Sequence, residues 1–75
     1  MHELTKAINI AAGTDGLDFN GACNAYADTS GLDGLGALNA ANESSGLGLN
    51  LVLNQLAGTT GLEAQAAANE LAPPP

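Results

Sequence analysis

The chain has 75 residues, enough for one small domain, and its single Phe and single Tyr leave a core made mainly of alanine and leucine. The net charge is −7 with one Lys or Arg in total, which argues against nucleic acids and anionic membranes as partners. We expect no signal peptide, because the first residues are polar, and residues 47–53 are too few to span a membrane. A lone cysteine, Cys23, is typical of a protein made in a reducing cytosol.

A repeat of 15 residues dominates the chain. We divide residues 1–72 into one repeat domain with units 2–16, 17–31, 32–46, 47–61 and 62–72, and number the places in each unit from 1. Glycine closes the four complete units, at Gly16, Gly31, Gly46 and Gly61. Asparagine holds place 8 of every unit, at Asn9, Asn24, Asn39, Asn54 and Asn69. A fixed period indicates one structural unit stacked on copies of itself.

Within a unit, apolar residues fall on places 1, 3, 6, 7, 10 and 11, a spacing typical of one helix face. In the second unit these residues are Leu17, Phe19, Ala22, Cys23, Tyr26 and Ala27. We predict an all-α fold of five single-helix repeats, each of about 10 to 12 helical residues, forming a small helical solenoid or array. Loops of three or four residues would give either antiparallel neighbours or a compact right-handed coil of helices.

Helix ends have their own sequence signals. A capping residue precedes each closing glycine, and we predict these four as N-caps: Asp15, Ser30, Ser45 and Thr60. Gly13 and Gly58 stand where left-handed residues end helices. The outer units look like caps of the array, since His2 replaces the opening leucine and prolines 73–75 would stop the last helix.

The asparagine column needs a shared explanation, because asparagine is a poor helix former. Its amide carries both donors and an acceptor, so it can bridge one helix to the turn of the neighbouring unit. Five such bridges would form a ladder that fixes the register of the units. The functional alternative is a row of amides that faces a ligand such as a sugar or ice.

Few residues suggest chemistry. Asp15, Asp18 and Asn20 before Gly21 hint at a calcium loop, but the spacing departs from the known pattern, and capping is the simpler role. His2 is the only histidine, which does not support a zinc site or a catalytic pair. We therefore expect no catalytic residue, no metal and no cofactor, and we interpret Cys23 as a small core residue.

The units resemble the short helical repeats at the ends of virion proteins from tailed phages of actinobacteria. GLDFNGACNAYADTSG, GLDGLGALNAANESSG and GLGLNLVLNQLAGTTG carry the resemblance, which extends over residues 4–72. It implies a structural or attachment role in a capsid or tail, and it brings no catalytic residues. Such repeats usually follow a larger domain, whereas here they stand alone.

The expected function is a non-enzymatic structural or interaction protein, a capsid decoration or minor head protein made in the host cytoplasm and carried in the virion. It would dock on a repeated protein lattice, with possible self-association, because a core this small leaves a stability balance near zero. A position on the tail is one alternative. A carbohydrate or cell-wall binding module, with the Thr and Ser turns as its recognition row, is another, although the chain has few aromatic residues for sugar stacking.

Overall fold

A computed structural model describes residues 3–72 and shows five α-helices and no strand in that range. In chain order the helices are α1 (Glu3–Ala12), α2 (Phe19–Ala27), α3 (Gly34–Ala41), α4 (Leu49–Ala57) and α5 (Ala64–Leu71). Each unit contributes one helix, and the all-α prediction is confirmed. The predicted proline stop at residues 73–75 and the predicted cap residue His2 lie outside the described residues.

The core is built from two adjacent places of every unit. Places 6 and 7 lie near the middle of each helix and are almost fully buried: Ala7, Ile8, Ala22, Cys23, Ala37, Leu38, Val52, Leu53, Ala67 and Ala68. Places 3 and 10 pack around this centre as partly buried residues in most units, for example Phe19 and Leu56. Small side chains at place 6 allow the short helices to approach one another closely.

The helices contact one another in chain order, and α5 also contacts α1. No other pair of helices is in contact in the described part of the chain. The five helices therefore close into a circle of contacts around the core. The molecule is flattened, with extents of 28 × 28 × 17 Å.

At Gly34, the first residue of α3, the helices α2 and α3 lie close together. A Cβ atom at this residue would collide with the ring of Phe19, so any other residue would require that ring to move. The N–H of Gly34 donates to Asn20 Oδ1 at 2.7 Å, which ties the first turn of α3 to α2. The lack of a side chain at Gly34 thus leaves room for the Phe19 ring beside the hydrogen bond to Asn20.

The predicted N-caps at Asp15, Ser30, Ser45 and Thr60 are wrong. Each helix begins about three residues later, with caps at Asp18, Asp33, Gly48 and Glu63, and the connections have six or seven residues instead of three or four. The carboxylates of Asp18 and Asp33 accept from the N–H groups of Gly21 and Gly36 at 2.7 and 2.6 Å. The glycine at place 15 explains the delay, because its φ of +77° to +80° cannot continue into a helix.

The first four helices end in the same left-handed turn. In unit 1 the N–H of Gly13 donates to Ile10 O and that of Thr14 to Asn9 O, the two bonds of a Schellman motif. Gly58 ends α4 in the same way, with φ of +73°. Asp28 and Glu43 hold this place in the second and third units, at φ of 59° and 57°, where a side chain is unfavourable.

Candidate functional site

The asparagine at place 8 joins its helix to the turn that follows. In unit 4, Asn54 Nδ2 donates to Asn50 O and Leu62 O at 2.7 and 2.8 Å. Its Oδ1 accepts from Leu62 N and Thr59 Oγ1 at 3.1 and 2.8 Å. The side-chain amide therefore uses both donor hydrogens and two acceptor positions, and it pairs with both main-chain groups of Leu62.

Three further units repeat this bridge. The same four kinds of partner surround Asn9, Asn24 and Asn39 at donor–acceptor distances of 2.7 to 3.3 Å. Asn9, Asn39 and Asn54 are only 3 to 5 % exposed. These amides bind the leucine main chain of the next unit, so they set the spacing between units and are not available to a ligand.

Asn69 in unit 5 differs from the other four. Among the described residues, its side chain has one hydrogen bond, accepted by Oδ1 from Gln65 Nε2 at 3.1 Å, and it is exposed. At place 13, where the other four units have the hydroxyl, unit 5 has Pro74. The bridging atoms of the fifth asparagine therefore face solvent.

The turn hydroxyls form two rows with different surroundings. The inner row at place 13 donates to the asparagine Oδ1 atoms and consists of Thr14, Thr29, Ser44 and Thr59. The outer row at place 14 is exposed and consists of Asp15, Ser30, Ser45 and Thr60. The carbohydrate alternative would have to rest on this outer row, which contains three hydroxyls.

Open hollows recur beside the bridges in units 1, 3 and 4, with volumes of about 380, 450 and 470 Å³. Each is lined by the place 8 asparagine, the place 13 hydroxyl and the place 14 residue of its unit. Each also has an exposed aliphatic side chain on its wall: Ile10 at 54 %, Leu35 at 38 % and Leu51 at 50 % exposure. We name these three sites the unit 1, unit 3 and unit 4 hollows.

Residues capable of acid–base or metal chemistry are scattered. No group of three or more His, Cys, Asp or Glu residues could hold a metal ion within residues 3–72. Asp18 caps α2 instead of forming a loop with Asp15 and Asn20. Burial raises the pKa of the Cys23 thiol from 9.0 to about 12, so this thiol is a core side chain and not a nucleophile.

Comparison of the chain with family models, with curated proteins and with solved structures finds no match. None of the described helices has the length and apolar character needed to cross a bilayer. The geometry of the chain itself is therefore the basis for a functional argument.

The hollows were not predicted from the sequence. Ile10, Leu35 and Leu51 occupy places 9, 4 and 5, outside the apolar face of the repeat. That departure from the pattern was the available signal, since a large aliphatic residue on the polar face of an amphipathic helix has no core to enter.

Proposed function

We propose that the chain is a non-enzymatic structural or interaction protein of a phage particle, which docks on a repeated protein lattice as a capsid decoration or minor head protein. The recurring hollows are the observation that carries this proposal. Three units present a concave surface beside the asparagine bridge, each with one exposed aliphatic side chain. Repeated weak sites on a rigid body suit a repeated partner, because simultaneous contacts multiply their effect.

Charge favours a basic partner. The chain carries eight Asp or Glu residues against a single Lys or Arg. Asp33 lines the unit 3 hollow, and Glu3 and Asp15 line the unit 1 hollow. A lattice protein with Lys or Arg beside an apolar side chain would complement both features, and its association would weaken as salt screens the charges.

The first experiment is detection of the chain in purified virions of a phage that encodes it, with heads and tails separated before mass spectrometry. Recovery in the head fraction at many copies per particle is the expected result. Recovery with tails would move the proposal to the tail. Absence from both fractions, with the chain present in the infected-cell lysate, would refute a virion role.

The second experiment tests the hollows. Purified Leu51→Glu and Leu35→Glu variants should lose binding to particles that lack the chain, because each places a carboxylate on the apolar wall of a hollow. Leu32→Glu is the matched control, since Leu32 is 42 % exposed and lines none of the three hollows. Equal binding by all three variants would remove the hollows from the interface.

A further inference from the structure

We propose that Asn69 on α5 is an open binding site for a Thr-x-Gly-Leu turn of another polypeptide. The bridge built by this asparagine type is established four times within the chain, each time around a turn of this kind. Units 1 to 4 supply that turn themselves. Unit 5 has the asparagine, but Pro74 stands where the other units have the donating hydroxyl.

The ligand is defined by what the filled bridges bind. Each asparagine accepts from a leucine N–H, donates to the C=O of the same leucine, and accepts from the Thr or Ser hydroxyl three residues before that leucine. These groups are main chain except for the hydroxyl, and the preceding glycine must adopt a positive φ. The segment recognised is therefore a hydroxyl residue, any residue, glycine and leucine, in that order.

The seam between α1 and α5 offers an open cavity beside Asn69 and a charge that would complement part of such a segment. Asn69 and Ala72 lie on one side of an open cavity of about 170 Å³, and Glu3, Lys6 and Ile10 lie on the other. Lys6 is the only Lys or Arg in the chain. A segment with an acidic residue beside its glycine would complement this ammonium group, as Asp15 stands beside Gly16 in the turn of unit 1.

The test uses the full chain and a peptide copy of residues 13–18, GTDGLD, acetylated and amidated at its ends. Titration should shift the side-chain amide resonance of Asn69 and the resonances of Lys6, with weak binding in the millimolar range typical of so few contacts. Methylation of the peptide's leucine nitrogen removes the donor to Oδ1 and should weaken binding about tenfold or more. Threonine replaced by valine in the peptide should also weaken it.

Variants of the chain locate the site. Asn69→Ala and Asn69→Asp should abolish the shifts, the second because it keeps an acceptor and loses the donor to the leucine C=O. Glu70→Gln is the matched control, a neighbouring exposed residue on the same helix. Circular dichroism checks that each variant is folded, which we expect because Asn69 contributes a single hydrogen bond.

Three results would overturn the proposal. The first is the absence of a shift at Asn69 when millimolar peptide is added. The second is equal binding of the N-methylated and unmethylated peptides. The third is an Asn69 amide already protected from hydrogen exchange in the free chain, which would mean that the chain itself fills the site. None of these results bears on the unit 3 and unit 4 hollows, which share no residue with this cavity, so the proposed function would fail or stand separately.

Discussion

Asn54 illustrates how one side chain can connect two units. We predict that Asn54→Ala lowers the free energy of unfolding by about 2–4 kcal/mol, because it leaves the main-chain groups of Leu62 without their partner. Urea denaturation followed by circular dichroism measures the change. Asn69→Ala is the control, and its effect should stay within about 0.5 kcal/mol. Equal losses in the two variants would contradict the bridging role.

Cys23 provides a prediction about pH. The unfolded thiol ionises near its ordinary pKa of 9.0, whereas burial raises the native pKa to about 12. Between these values the unfolded state binds fewer protons than the native state, so this thiol's contribution to stability is complete below pH 9 and is lost as pH rises toward 12.

The measurement compares the chain with Cys23→Ala across that range of pH. The advantage of the cysteine form in free energy of unfolding should shrink as pH rises, because every other ionisable group is common to both forms and cancels in the comparison. Iodoacetamide at neutral pH should leave the native thiol unmodified and should label it in urea. Rapid labelling of the native chain would show that the core opens at Cys23.

The helix ends offer a stabilising substitution. Glu43 ends α3 with φ of 57°, in the place where units 1 and 4 have Gly13 and Gly58. We predict that Glu43→Gly raises the free energy of unfolding by about 0.5–1 kcal/mol, since the relief of the left-handed conformation exceeds the entropy that glycine adds to the unfolded chain. Glu43→Gln separates this effect from loss of charge and should change stability much less. Thermal or urea unfolding of the original chain and the two variants measures these differences in stability.

The start of α4 lacks a side-chain cap. Gly48 has φ of −72° and open space around a Cβ atom, so other residues fit there. Gly48→Asp should raise the free energy of unfolding by about 1 kcal/mol, part from the cap and part from a less flexible unfolded chain. Gly48→Ala also makes the unfolded chain less flexible but adds no cap, so it isolates that second contribution. An alanine variant as stable as the aspartate variant would show that no cap forms.

At the scale of elements, the sequence predicted the number and order of helices but misplaced their starts. Ser and Thr immediately before the glycine, at place 14, match capping statistics, but in the structure these residues are exposed, and the hydroxyl one place earlier donates to asparagine. A better signal was present at place 2, where four units have an acid: Glu3, Asp18, Asp33 and Glu63. The bridge itself could be inferred from the asparagine column because an amide inside a packed repeat must find partners.

The whole molecule depends on its last helix for closure. Removal of residues 62–75 would expose the faces of both α4 and α1 that α5 covers. We predict that the chain of residues 1–61 loses most of its helical circular dichroism instead of one fifth, because short helices are stable only when packed. The chain of residues 1–72 keeps α5 and is the control. Four-fifths of the signal with a cooperative melt would mean that the units fold independently.

The contact between α5 and α1 that closes the circle of helices could not be predicted from the sequence. The repeat predicts that each unit packs on the next, but whether unit 5 meets unit 1 depends on the angle between successive units, which accumulates over the whole chain. No single residue type determines this accumulated angle.

The contact between α5 and α1 also has a consequence for how the chain folds. Every other pair of touching helices is adjacent in sequence, so those contacts form with little loss of loop entropy and favour rapid folding. The closing contact joins opposite ends of the repeat and carries the largest entropic cost. It therefore belongs late on the folding route, after a partly ordered arc of consecutive helices has brought its two ends within reach.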